Sequence, residues 1–72
     1  MQIHSEMTGT IMKTAAAGTS VAPGDTIVII ESMKMEIPVE AEHPGTLTKI
    51  HVKEGDTVED GTLLADLDPT TP

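Results

Sequence analysis

No cysteine, tryptophan, tyrosine or phenylalanine occurs among the 72 residues, and the four basic side chains are all lysines. Each absence removes a class of chemistry. Without cysteine there is no disulfide staple and no thiol nucleophile. Without aromatics there is no platform on which bases could stack. Without arginine there is no guanidinium clamp for phosphate. Twelve carboxylates against four lysines give a formal net charge of −8, the wrong sign for a nucleic-acid backbone, whose binding needs a basic footprint. No apolar run approaches the ~18 residues of a membrane span. The start, Met1-Gln2-Ile3-His4-Ser5-Glu6, lacks the basic stretch and apolar core of a secretory leader. No nucleic acid, no membrane and a cytoplasmic location are therefore expected. One small domain is all this length supplies, and it is too small to enclose an ordinary enzyme pocket. The chain reads as a module that is acted upon, not as a catalyst.

What is present is β-branched and aliphatic. Gly or Pro recurs at Gly9, Gly18, Pro23, Gly24, Pro38, Pro44, Gly45, Gly55 and Gly61, which leaves no room for a helix of ordinary length. Short apolar runs between turn residues predict an all-β fold. Strands are expected near 2–6, 10–16, 26–32, 35–42, 46–53 and 62–67, with short extended pieces at Val21 and Val58. The folded domain is expected over residues 1–68. Asp68 and Pro69, with the three residues after them, read as a polar tail, flexible over 69–72.

The chain also repeats itself. Gly9-Thr10-Ile11 with Lys13 matches Gly45-Thr46-Leu47 with Lys49, and Gly18, Val21 and Gly24 match Gly55, Val58 and Gly61. Ile27 and Ile30 match Leu64 and Leu67. The offset is 36 residues in the first block and 37 thereafter, so one loop of the second repeat holds an extra residue. Two β halves that cannot bury their apolar faces alone should pack on each other, giving two sheets about a pseudo-two-fold axis.

The segment that joins the halves, residues 26–41, has no internal turn signal. As one strand its sixteen residues would span roughly 50 Å. A domain of this length has a radius of gyration of ~11 Å and a diameter of about 30 Å, so the segment must fold back near Met33-Lys34. A two-residue turn there sets Ile30 opposite Ile37 and Val28 opposite Val39, one continuous apolar face. It also sets Glu31 opposite Glu36, a like-charge pair that costs stability. Tight hairpins want Asn-Gly at the tip, because the central residues take positive φ. Met33 and Lys34 bring no such advantage, and Met33 and Met35 are expected to be exposed. Several broken local rules in one place mark a functional stretch. On these grounds alone, a surface lysine with two methionines folded back on the sheet edge remains equally open.

Glu31-Ser32-Met33-Lys34-Met35-Glu36 resembles the biotin-acceptor motif of biotinyl domains, whose core is Met-Lys-Met preceded by Ala or Ser. Ile37-Pro38-Val39, the run from Gly24 to Ile30, Pro44-Gly45-Thr46 and Glu54-Gly55-Asp56 look like the same family, so the resemblance covers about residues 3–67. It is nearest to biotin/lipoyl attachment proteins and biotin carboxyl carrier domains. It implies a flattened β-barrel of two four-stranded sheets, with Lys34 as the covalent biotin attachment point and Met33 and Met35 as flanking recognition contacts. Glu31, Ser32 and Glu36 form the hairpin context. The implied partners are a biotin protein ligase, and the biotin carboxylase and carboxyltransferase parts of a biotin-dependent carboxylase between which the domain carries a carboxyl group. Three features depart from parts of the family; one is that the first repeat is a residue shorter from Gly9 to Gly18 than the second from Gly45 to Gly55, which is expected to alter a loop and not the fold. There is no inserted thumb loop, and no Ala/Pro-rich linker precedes the domain, which therefore reads as free-standing or trimmed.

Two alternatives stand beside this reading. A lipoyl-type carrier shares the fold and the hairpin lysine, but usually has Asp before the lysine and Ala after it. An unmodified β-barrel serving as an interaction module needs no lysine at the tip. Enzymatic chemistry has little to build on. His4, His43 and His51 have no metal-ligand spacing, Ser32 has no base placed by any motif, and His51 is expected to face solvent between Lys49 and Lys53. Asp56, Glu59, Asp60, Asp66 and Asp68 read as a solvated face.

Overall fold

Eight short strands account for nearly all the regular structure, and none of the described residues is helical. The structure is a computed structural model and describes residues 1–69. In chain order the strands are β1 (Gln2–His4), β2 (Gly9–Thr14), β3 (Ser20–Val21), β4 (Thr26–Ser32), β5 (Met35–Glu40), β6 (Gly45–Ile50), β7 (Thr57–Val58) and β8 (Leu63–Pro69). All eight strands fall near where the apolar pattern placed them, with β1, β2, β5 and β6 ending at His4, Thr14, Glu40 and Ile50, short of the expected 6, 16, 42 and 53. The radius of gyration is 11.4 Å, as expected for a chain of this length.

The strands form two four-stranded antiparallel sheets, ordered β1-β8-β6-β3 and β5-β4-β2-β7. The repeat seen in the sequence relates them: β1 corresponds to β5, β2 to β6, β3 to β7 and β4 to β8. The sheets are thus exchanged by the pseudo-two-fold axis, but neither sheet is built from one half. Each takes two strands from each repeat, because β2 and β3 lie in different sheets, as do β6 and β7. Interleaving of this kind makes the two halves one folding unit, since neither half contains a complete sheet. The extra residue of the second repeat falls in the loop between β6 and β7, and the strands keep their lengths.

Between the sheets lies an aliphatic core in which Ile11, Ile27, Val28, Ile30, Leu47, Val58, Leu64, Ala65 and Leu67 are almost wholly shielded from water. Ile27 and Val28 are adjacent yet both buried, which a regular strand forbids. A register shift between Thr26 and Val28 resolves this: a bulge lets two successive side chains turn the same way. The matching irregularity opposite β1 buries both Leu64 and Ala65. Further shifts near Met12 and Thr48 repeat the symmetry in β2 and β6.

Two expectations need correction. Asp68 and Pro69 are not tail but the end of β8, paired with Thr46 and Gly45. By that point β8 has run past β1, so the missing N–H of proline faces no ladder. The expected flexible residues 70–72 lie outside the described residues. His51 is exposed, as expected, but Asp66 is not simply part of a solvated face: its Oδ2 lies 3.0 Å from His51 Nε2, within hydrogen-bond distance. No helix among the described residues is long and apolar enough to cross a membrane.

Candidate functional site

Chain length forces the fold-back between β4 and β5, and the apolar register chooses its position. The observed pairs are Val28 with Val39, Ile30 with Ile37, Glu31 with Glu36 and Ser32 with Met35. Met33 and Lys34 are left as the two residues of the turn. This is the register derived from the sequence. The inward face it creates is graded: Val28 and Ile30 are buried, whereas Ile37 and Val39 on the outer strand β5 are half-buried.

Both turn residues take positive φ, 53° at Met33 and 64° at Lys34. They are the only non-glycine residues with positive φ among those described. A two-residue hairpin needs this left-handed geometry to match the twist of its strands, and residues with a Cβ adopt it at a cost. The cost is met by the ladder beneath, which fixes six residue pairs below the tip. The turn therefore holds its two side chains outward on a rigid stalk.

Met33 is 89% exposed and Met35 58% exposed, and Lys34 between them is exposed as well. Neither methionine joins the core. Glu31 and Glu36 are exposed on the strands next to the tip, and Ser32 is half-buried opposite Met35. All six residues singled out in the sequence thus converge on one end of the hairpin. The one His or Lys to carboxylate contact within 4 Å among the described residues is His51–Asp66, so the Lys34 ammonium is not clamped by either glutamate. No group of three His, Asp or Glu among the described residues could hold a metal ion.

What this arrangement can do is limited and specific. It presents a single primary amine, flanked by two flexible apolar side chains, to an external active site. Among the described residues no carboxylate is within ion-pair distance of the amine. A covalently attached group needs no cavity, only an accessible Nζ, so the tip fits a tethered cofactor. The turn falls at Met33-Lys34, where the register read from the sequence put it. The half-burial of Ile37 and Val39 was not foreseen, because alternation cannot tell an edge strand from a central one.

Comparison with known proteins agrees with this geometry. Residues 1–67 match the family described as biotin-requiring enzymes. The chain is 43% identical to pyruvate carboxylase of Bacillus subtilis over 92% of its own length, but spans only 6% of that enzyme. It is 38% identical to the biotin/lipoyl attachment protein of Bacillus subtilis, with 99% of each chain covered. Among solved structures, the lipoyl domain of the 2-oxoglutarate dehydrogenase complex of Azotobacter vinelandii superposes with a TM-score of 0.78 at 32% identity, covering 94% of this chain and 95% of that one. Fold, hairpin and a sequence match over almost the whole chain lead to one conclusion: this chain belongs to the biotin/lipoyl attachment domain family, whose members are non-catalytic carrier modules.

Proposed function

We propose that this domain is a biotin carboxyl carrier and that Lys34 is its point of attachment. The observation that carries the proposal is the left-handed Met33-Lys34 turn, a strained tip with no structural reason to avoid Asn-Gly. A lysine at neutral pH is an ammonium and has no lone pair with which to attack. Among the described residues no carboxylate lies within ion-pair distance of Lys34, and in this reading the base belongs to a biotin protein ligase that presents biotin as an acyl-adenylate. Lys34 Nζ then attacks the acyl carbon, an amide bond forms and the adenylate leaves. The reaction turns the side-chain cation into a neutral amide and lowers the formal net charge from −8 by one unit.

When bound, biotin supplies a ureido nitrogen that accepts and releases a carboxyl group. This chain's residues supply its placement. The β4–β5 ladder fixes where the arm begins, and the exposed methionines shape the surface that the ligase and the carboxylase sites meet. Met33 and Met35 suit several partners, because the unbranched thioether side chain repacks readily. Tethering makes both encounters nearly intramolecular. The acidic surface favours basic docking faces and acts on association rate more than on affinity. A cytoplasmic setting fits the cysteine-free composition, and the folded domain runs from the start of the chain at least to Pro69.

A lipoyl-type role is the second reading, supported by the likeness to the lipoyl domain named above. The neighbours of the lysine favour biotin, because both are methionine. One experiment separates the readings. The purified domain is incubated with ATP and either biotin plus biotin protein ligase or lipoate plus lipoate ligase, and intact masses are compared. A biotin adduct mapped to Lys34, absent from Lys34→Arg, is the expected result. A lipoyl adduct only, or biotin on Lys13, Lys49 or Lys53, would overturn it.

A further inference from the structure

β1 and β5 are the outer strands of different sheets, and no ladder joins them among the described residues. Between them runs a groove of about 460 Å³. Its floor is aliphatic, made by Ile3, Met7, Ile37, Val39 and Leu67. Its rim carries Glu6, Glu40 and Glu42, all exposed. None of the four lysines lines it; the groups there able to offset the three carboxylates are the Met1 ammonium, which donates to the Leu67 carbonyl, and His4 when protonated.

The two edges differ in what they offer a new strand. Met1 and Leu67 exchange N–H···O bonds in both directions at 2.7 Å. Alternation along an antiparallel pair then turns the backbone N–H and C=O of Gln2 and His4 away from β8 and into the groove. On β5, the two-residue turn makes Ser32 and Met35 the closing bonded pair, so Glu36, Pro38 and Glu40 turn their backbone groups to the free side. Pro38 has no N–H, which removes the central donor from that edge. The β1 edge is open to pairing and the β5 edge is blunted.

We propose that this groove docks a short extended segment of a protein partner, in which aliphatic residues alternate with Lys or Arg, paired to the β1 edge. The period of two decides the chemistry. Side chains on one face meet the Ile3, Ile37 and Val39 floor, and those on the other reach the carboxylates of the rim. A second copy of this chain is a poor occupant, since it brings another net charge of −8. The groove is separate from the Met33-Lys34 tip, and the proposal stands whether or not Lys34 is modified.

The test is an NMR titration of the ¹⁵N-labelled domain, at low salt, with the blocked peptide acetyl-Lys-Leu-Lys-Val-Lys-amide. Saturable shifts confined to residues 2–7 and 36–42 are expected. Combined Glu40→Gln and Glu42→Gln, both at exposed positions, should weaken binding roughly three- to tenfold, because exposed ion pairs are individually weak. Added salt should weaken it too. The control acetyl-Lys-Ser-Lys-Ser-Lys-amide should bind much less tightly. Shifts spread equally over Asp56, Glu59 and Asp60, or equal binding of the serine peptide, would reduce the effect to diffuse charge attraction and overturn the proposal. Shifts at the same amides that depend on protein concentration without peptide would assign the groove to a second copy and overturn it as well.

Discussion

Replacing the tip by Asn-Gly should make this domain more stable while destroying its proposed function. Met33 and Lys34 hold φ of 53° and 64°, and the left-handed region costs a residue with a Cβ about 1–2 kcal/mol. Met33→Asn with Lys34→Gly removes most of both penalties, a gross gain of about 2–3 kcal/mol. Met33 is 89% exposed, so its loss forfeits almost no packing. Glycine adds freedom to the unfolded chain, which takes back about 0.5–1 kcal/mol. Removing the cation next in chain to Glu31 and Glu36 takes back a few tenths more, on the scale of ~0.2–1 kcal/mol for a cross-strand charge pair. The net gain is about 1–2 kcal/mol, or roughly 5–15 °C in Tm for a domain of this size. The assay is urea denaturation followed by far-UV circular dichroism, since the chain has no aromatic residue to report by fluorescence. The midpoint should rise with the slope unchanged. A midpoint that stays or falls would refute the reasoning, and would mean that the Met33 and Lys34 side chains themselves hold the hairpin together.

Ile30 has no exposed surface, so Ile30→Ala should cost about 2–4 kcal/mol, and an unchanged Tm would contradict its place in the core. Met35→Ala should leave stability within about 0.5–1 kcal/mol yet slow ligase labelling; a variant that unfolds easily but is labelled at the normal rate while folded would make Met35 structural instead. Two glycines separate backbone strain from crowding. At Gly45 a Cβ would collide with the backbone carbonyl of Asp68, whereas at Gly24 it would meet nothing within 4 Å and the only obstacle is a φ of 92°. Denaturation midpoints should therefore show Gly24→Asn recovering part of the loss caused by Gly24→Ala, because asparagine tolerates left-handed geometry. At Gly45 asparagine should be no better than alanine, and recovery there would disprove the clash.

Most of the fold was legible because its signals are local or arithmetical. The alternation of Val28, Ile30, Ile37 and Val39, with the length of the segment that carries them, left one place for the turn. The family resemblance of Met33-Lys34-Met35 then gave that turn a chemistry which geometry alone left open. What escaped the sequence depends on partners distant along the chain. The pairing of His51 with Asp66 joins the residue just after β6 to β8, and nothing near either residue announces the other. Burial of both Ile27 and Val28 rests on a bulge in the pairing of β4 with β5. Asp68 and Pro69 look like a tail by composition, and are drawn into β8 because Thr46 and Gly45 offer them a ladder. The division of each repeat between two sheets is likewise a property of packing, to which short strands of equal pattern are blind.

The exchange of sheets by the pseudo-two-fold axis gives the domain two corresponding poles, and only one is closed by a covalent turn. β4 passes to β5 through Met33-Lys34, whereas the matching pair, β8 and β1, meets as the two ends of the described chain, held by the bonds between Met1 and Leu67. Topologically the molecule is a ring cut once, opposite its single tip. A tip of this kind can therefore occur only once per domain, although everything beneath it is present twice. The cut also marks where new sequence can be added at the least distance from the chain ends and the greatest from the lysine. Cutting the ring at the tip and closing it at the other pole would give a permuted protein with the same ladders, its turn transferred to the opposite face.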